Sequence, residues 1–304
     1  MNANRVFITG GTGFIGRNLI AAMSDRQIHV LVRPSAEPSV LERYRHVTVH
    51  QYDGTTQSLI DALSKAKANV VIHLAAYFVA EHKSSDVTPL VESNILLGAQ
   101  LLEAMLVDGQ RTLINTGTSW QHFENGPCRS VCLYAATKQA FESLIDFYVD
   151  AHGFNVATLK LFDTYGPGDP RPKLFNLLKR ADPSTPMQFS EGNQLIDLVY
   201  IDDVIEAFLI CEKNLLGLTS AVHHRFGVSS GNPRPLREVV QQYLKEARSN
   251  VVVDWGARPY RAREVMRTWT GYDTIPGWQP KISLDQGISR LVREHEIGGS
   301  AVNR

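Results

Sequence analysis

"RVFITGGTGFIGRNLI", residues Arg5 to Ile20, is a β-branched run, a turn with Gly10, Gly13 and Gly16 at three-residue spacing, and the start of an amphipathic helix. A strand that enters a helix through so tight a turn needs glycine so that the backbone can come close to whatever sits over the helix N-terminus. The free N–H groups and the dipole of that helix end stabilise a pyrophosphate. This is the first strand and the first helix of the chain, and an amphipathic segment of the expected length follows. The stretch therefore predicts a dinucleotide site.

The same alternation continues outward. β-branched runs recur at Val6 to Thr9, Ile28 to Val32, Val47 to His50, Val70 to Leu74, Thr112 to Asn115 and Val156 to Phe162, and helix-period segments fill the gaps. Strands alternating with helices build βαβ units, so the chain predicts an α/β fold with a Rossmann-type, doubly wound parallel sheet. The last third is less regular. "YGPGDPRPK" and "SNVVVDWGARPYRAREV" are rich in proline, glycine and arginine, whereas "IDDVIEAFLICEK" and "LREVVQQYLKEA" have helical periodicity. No repeat or low-complexity linker separates the two parts, so a small C-terminal region is expected to interleave with the sheet domain. The expected division is 1–165 for the nucleotide-binding domain, with 198–228 returning to it, and 166–197 and 229–304 mainly for the smaller region.

A chain of 304 residues can bury one large α/β core. Lysine plus arginine number 31 and aspartate plus glutamate 31, so no net field draws the protein to nucleic acid or an anionic membrane, and partners have to be recognised locally. Cys128, Cys132 and Cys211 are odd in number and lack metal-ligand spacing, and a strand would point the neighbours His223 and His224 to opposite faces; no metal is expected. No apolar run approaches the roughly 20 residues of a membrane helix. The N-terminal segment is a strand where a signal peptide would carry a basic region and a cleavage site. The expectation is a soluble protein of the reducing cytoplasm.

Two positions bear on the identity of the dinucleotide. In an NAD-specific fold the second strand ends in an acid that binds the ribose hydroxyls, but "HVLVRPS" ends in Arg33, and a guanidinium suits a 2′-phosphate. NADP(H) is expected over NAD(H), a solvated strand-end arginine being the plain alternative. Asp53 in "HQYDGTT" follows the third strand, where it either accepts from the adenine amino group or serves the turn.

Tyr134 and Lys138 in "LYAATKQAFE" lie one turn apart on one helical face. An ammonium near a phenol stabilises the phenolate and lowers a tyrosine pKa from about 10, which would make Tyr134 a general acid or base. Any surface helix produces this spacing. Its position one βα unit after the hydroxyl-rich strand end "LINTGTSWQ", behind a dinucleotide loop, favours the catalytic reading.

At these motifs the sequence resembles the extended short-chain dehydrogenase/reductases of the NAD-dependent epimerase/dehydratase type. The resemblance covers nearly the whole chain. "TGGTGFIG", "VIHLAA", "LYAATK", "LKLFDTYGPGD", "LIDLVYIDDV" and "GWQPKISLDQGI" match the family's segments in order. Within the family, "INTGTSWQ" and "GNQLIDLVYIDDV" look most like the CDP-abequose and CDP-paratose synthase group, 4-ketoreductases of deoxysugar nucleotides. The resemblance implies that Tyr134 donates the proton and that Lys138 binds the nicotinamide ribose and tunes the tyrosine. It implies Gly10, Gly13, Phe14, Ile15 and Gly16 at the pyrophosphate, Asp53 at the adenine, and Leu74, Ala75 and Ala76 as the backbone wall beside the cofactor. His73, inside that strand motif, reads as a core residue.

The chain departs from the family pattern in three places. Where many members carry a catalytic serine or threonine it has Gly117, flanked by Thr116, Thr118 and Ser119, and Thr118 is the favoured replacement. After it stand Ser119 and Trp120 instead of the Asp-Glu pair with which 4,6-dehydratases remove water, so dehydration is not expected. Asp163 replaces a frequent asparagine and Ile196 a frequent diphosphate arginine, which leaves Arg258 as the main diphosphate candidate, supported by Arg261, Arg263 and Lys173. Gln188 and Phe189 would frame the base. The expected activity is NADPH-dependent reduction of a 4-keto group on a nucleotide-activated 6-deoxyhexose, by a homodimer. A C4 epimerase with tightly held NAD and a non-catalytic cofactor sensor are the alternatives.

Overall fold

The structure is a computed structural model describing residues 4–34, 38–218 and 220–300, the last six by backbone alone. Residues 301–304, which the sequence reading assigns to the smaller region, lie outside them. Six strands follow one another with intervening helices: β1 (Arg5–Thr9), β2 (Gln27–Val32), β3 (Val47–Gln51), β4 (Val70–His73), β5 (Thr112–Thr118) and β6 (Asn155–Leu161). Four short strands, β7 (Asp163–Tyr165), β8 (Met187–Phe189), β9 (Leu195–Ile196) and β10 (Leu198–Tyr200), lie outside the main sheet, and β11 (Val222–Val228) joins its edge. The sheet order is β11-β6-β5-β4-β1-β2-β3 with every pair parallel.

Its inner strands, such as β1 and β4, carry unbroken buried runs because both faces are covered. Val6 and Ile8 of β1 enter one core and Phe7 the other, as do Val70 and Ile72 against Val71 in β4. On the first face pack α1 (Phe14–Ala22) and, later in the chain, the helix Ile201–Leu216; on the second pack α2 (Thr56–Ala66) and the helices Leu97–Asp108 and Leu133–His152. The sheet order reverses between β1 and β4, so successive connections leave in opposite directions and open a crevice at the strands' C-terminal ends. Thr9 closes the base of that crevice, its carbonyl accepting from Leu74 N at 3.1 Å and its hydroxyl from Ala75 N at 3.2 Å.

Helix α3 (Val87–Val91) runs through a five-residue π turn, Glu92–Leu96, into α4 (Leu97–Asp108). As one run, Ser84–Asp108 is 25 residues long and apolar enough to cross a membrane, which corrects the expectation that no such run exists. Core packing accounts for the apolarity, since Leu97, Leu101, Leu102 and Met105 are buried against α2 and α5 (Leu133–His152). The C-terminal half adds α6 (Leu174–Arg180), α7 (Ile201–Leu216), β12 (Arg234–Pro235), α8 (Leu236–Glu246), β13 (Val253–Trp255) and α9 (Leu284–Ser300). Here β8 pairs with β13, β9 with β12 and β10 with β7. Asp203, buried in the first turn of α7, accepts from Lys281 N and Ile282 N at 3.0 Å each, which ties the C-terminal stretch to the sheet domain.

Candidate active site

Gly10 has φ +74°, and a Cβ on it would stand 2.6 Å from Ala75 N, so the turn after β1 lies directly on the end of β4. A Cβ on Gly16 would stand 2.5 Å from Gly10 O, which is why α1 can sit so close behind the turn. Gly13 caps α1 without a side-chain hydrogen bond, and the first turn of α1 has no acidic residue. The first-turn N–H groups thus have no competing side chain and face the position a pyrophosphate would take.

From this loop a cavity of about 290 Å³ runs along the sheet's C-terminal edge. Its lining includes Gly10, Gly13, Phe14, Ile15 and Gly16 of the loop, Leu74 and Ala76 after β4, and Thr118, Ser119, Tyr134, Lys138, Asp163 and Lys173. Ala75 backs the wall through its amide. Two cofactor candidates stand apart: Arg33 is exposed just past β2, and Asp53 is exposed with its carboxylate accepting from Thr55 N at 2.9 Å and Thr55 Oγ1 at 2.6 Å. Those bonds hold the Asp53 carboxyl below the usual carboxylate range and shape the turn into α2.

Tyr134 occupies the first turn of α5 and Lys138 the next. Lys138 is only 2% exposed, and among the described residues its Nζ has no hydrogen-bond partner. Burial lowers its pKa from 10.5 to about 8, against the opposing pull of Glu142. An orphaned ammonium in the wall of this cavity fits the hydroxyls of a nicotinamide ribose. Tyr134 moves the other way from the sequence expectation. Burial raises its phenol well above the usual range, Cys132 adds to this, and Arg171 opposes it. Phe78 explains part of the burial, since its ring meets the Tyr134 ring edge-on at 4.9 Å.

The three hydroxyls near position 117 separate cleanly. Thr116 is buried and donates to His73 O. Thr118 accepts from Trp120 N at 3.3 Å, so its own hydrogen remains available to a ligand. Ser119 is half-buried and makes no hydrogen bond through its side chain among the described residues. His73 is fully buried, with Nδ1 2.7 Å from Thr9 Oγ1, and lies in the core behind the cavity.

At the outer end Lys173 Nζ lies 3.5 Å from Asp163 Oδ1 and 4.6 Å from the Phe78 ring centroid. A second cavity of about 130 Å³ shares Ser119, Trp120 and Asp163 with the first and is lined further on by Arg261, Arg263 and Trp269. Arg258 lies outside both: it is exposed, and its amide extends the β8–β13 pair by donating to Phe189 O at 3.0 Å. Gln188 and Phe189 also lie outside, Gln188 exposed on β8 and Phe189 packed on Trp255 at 5.3 Å. The sequence reading did not single out Arg171, which lines the cavity and is held by two 2.7 Å bonds to Asp169. "DPRPK" carried it in plain view, but nothing local separates it from Lys173.

The π turn also serves the site. Buried Asn94 accepts from Tyr77 N at 2.8 Å and donates to Tyr77 O at 3.0 Å and Thr137 Oγ1 at 3.0 Å, and Thr137 donates to Tyr134 O at 2.7 Å. The loop after β4 is thereby fastened to the helix that carries the tyrosine. Among the described residues, no three His, Cys, Asp or Glu side chains group to hold a metal.

The model of the NAD dependent epimerase/dehydratase family matches residues 6–216. The CDP-abequose synthase of Salmonella muenchen is 26% identical over 96% of this chain and 98% of its own. The probable UDP-glucuronate 4-epimerase of Rhizobium meliloti is 25% identical over 96% and 97%. Among solved structures, the UDP-glucose 4-epimerase of Thermus thermophilus in complex with NAD superposes with a TM-score of 0.81 at 24% identity, covering 96% of this chain and 99% of the other.

Proposed function

Because this chain belongs to the NAD-dependent epimerase/dehydratase family of nucleotide-sugar enzymes, we propose that it reduces a 4-keto group on a CDP- or dTDP-linked 6-deoxy or 3,6-dideoxy hexose, using NADPH. The observation that carries this reading is the Thr118 hydroxyl. It shares one cavity with Tyr134 and Lys138, its hydrogen is free to donate, and it is followed by Ser119 and Trp120 where a dehydratase needs an acid pair. Similarity to the CDP-abequose synthase supports the same choice.

A bound dihydronicotinamide supplies the hydride. Lys138 would hold the ribose through its Nζ, which has no partner among the described residues. Thr118 donates to the carbonyl oxygen and strengthens that bond as negative charge grows there. Tyr134, kept protonated by burial, gives its proton to that oxygen. The phenolate left behind is stabilised by Arg171, which already opposes the rise of the Tyr134 pKa, and the Lys138 ammonium one helical turn away, charged below about pH 8, would add to this. Phe78 and Trp120, with ring centroids 5.9 Å apart, give the cavity an apolar wall. Lys173, Arg261 and Arg263 place positive charge along the two cavities for the diphosphate, and that remote binding orients the sugar.

NADPH over NADH rests on Arg33. Exposed Val91, Leu96, Val107 and Phe147 on the long helix and α5 support a homodimer. The test is a panel of CDP-, dTDP-, GDP- and UDP-linked 4-keto-6-deoxysugars with NADPH and NADH. Stoichiometric loss of NADPH absorbance with one nucleotide class, abolished by Tyr134→Phe with NADPH binding intact, is expected. Oxidation of neither cofactor sinks the proposal. Purification with bound NAD and net-zero interconversion of a UDP-sugar would replace it with the C4 epimerase, the reading that the epimerase relative favours.

A further inference from the structure

Backbone conformation does not require a glycine at position 117, since its φ is not positive. Space does. A Cβ on Gly117 would lie 2.8 Å from Gln121 Oε1 and 3.0 Å from Lys160 Cγ and Thr158 Cγ2. Gln121 has taken that volume. Its side chain is fully buried, its Oε1 accepts the Thr118 N–H at 2.9 Å, and its Nε2 donates to Glu142 Oε1 at 2.6 Å and Gln139 Oε1 at 2.9 Å. Glu142 and Gln139 belong to α5, the helix of Tyr134 and Lys138. Glu142 is itself held by Lys160 Nζ at 3.3 Å and Arg225 Nε at 3.2 Å from β6 and β11. One carboxamide therefore joins the end of β5 to the catalytic helix. Its orientation is set, because an oxygen must meet the N–H and a nitrogen must meet the carboxylate.

We propose that Gln121 is a positioning residue that fixes the Thr118 hydroxyl relative to the Tyr134 phenol, and that Gly117 is glycine to admit it. The inference rests on Thr118 being the carbonyl-binding hydroxyl. Leucine at 121 leaves the Thr118 N–H and a Glu142 oxygen without partners, and frees the 118–120 turn to move by the fraction of an ångström that a hydrogen bond to a developing oxyanion does not tolerate. Alanine at 117 displaces the same carboxamide without removing it.

The test compares wild type, Gln121→Leu, Gly117→Ala, Thr118→Val and the double variants with Thr118→Val. In cofactor-free protein, hydrogen exchange of the Thr118 amide, read by NMR, is expected to quicken about tenfold or more in Gln121→Leu. In turnover, Gln121→Leu and Gly117→Ala are expected to lower kcat by about 10-fold to 100-fold with KM changed less than about threefold, and to lower it no further when Thr118 is already valine. Losses that multiply in the Thr118→Val background, or a Thr118 amide indifferent to Gln121→Leu, overturn the proposal. Should Gln121→Leu fail to fold, Gly117→Ala carries both measurements. Should wild type turn over none of the sugar panel, the proposed function fails by itself, while the amide exchange still decides whether Gln121 holds Thr118.

Discussion

Replacing Lys138 with methionine should make the protein more stable while abolishing turnover. The ammonium is 2% exposed and its Nζ has no partner among the described residues. The fall of its pKa from 10.5 to about 8 measures what the fold sacrifices to keep the charge there. At about 1.4 kcal/mol per pH unit, that is about 3 kcal/mol at neutral pH. Below pH 8 the lysine is charged in both folded and unfolded chains, and the whole penalty is present. Between pH 8 and 10.5 only the unfolded chain is charged and the penalty shrinks; above 10.5 it is gone. Met has similar volume and no charge, so Lys138→Met should raise Tm by about 5 °C at pH 7, and the gain should fade towards pH 10.5. Thermal unfolding of both proteins at pH 7, 9 and 10.5 checks this, with NADPH binding measured alongside. An unchanged Tm at pH 7, or a gain that persists undiminished at pH 10.5, refutes the claim that an uncompensated buried charge sits in this site.

Glu142 holds the Lys138 pKa up, so the alkaline limb of kcat/KM, expected near pH 8, should move to lower pH in Glu142→Gln; a pH–rate profile reads it. Gly98→Ala would put a Cβ 2.4 Å from Phe141 Cε2 where α4 meets α5, and should cost about 1–3 kcal/mol in urea unfolding. Asp203→Ala removes the acceptor of two backbone N–H groups and should lower stability by about 2–3 kcal/mol, seen as a lower Tm with the NADPH affinity preserved.

Strands such as Val70 to Ile72 could be read from the sequence because burial on both faces demands an unbroken β-branched run, and that demand is local. The far end of β5 could not. Gly117 interrupts the β-branched pattern between Thr116 and Thr118, and the three extend β5 through pairing with Leu159, Lys160 and Leu161 of β6. The glycine loop was legible for a reason that is local in part: Gly16 is crowded by Gly10 and Gly11, whereas Gly10 is crowded by Leu74 and Ala75 at the end of a later strand. Tyr134 and Lys138 were legible as a spacing, but the direction of the Tyr134 pKa was not. It depends on burial of the phenol, to which Phe78 from a distant part of the chain contributes, and on the neighbouring Cys132. Asp53 could be read as a cofactor contact or as a turn residue, and the bonds to Thr55 that define its turn role became visible only with backbone directions in place. Gln121 gave no signal at all. A glutamine three residues past a strand is ordinary until the glycine opposite it is seen to lack room for a methyl.

The π turn at Glu92–Leu96 behaves as one surplus residue lodged in an otherwise α-helical stretch. An α-helix advances about 100° per residue, so a deletion or insertion elsewhere on this helix would swing everything beyond it a quarter-turn and more around the axis, whereas a deletion inside the π turn would restore regular winding and take Asn94 away from Tyr77. Substitutions along this helix can be absorbed one at a time, whereas a change of one in its length cannot. Its residue count is itself a coordinate of the active site, and single-codon insertions and deletions scanned across Ser84–Asp108 should be far less tolerated than point changes at the same positions.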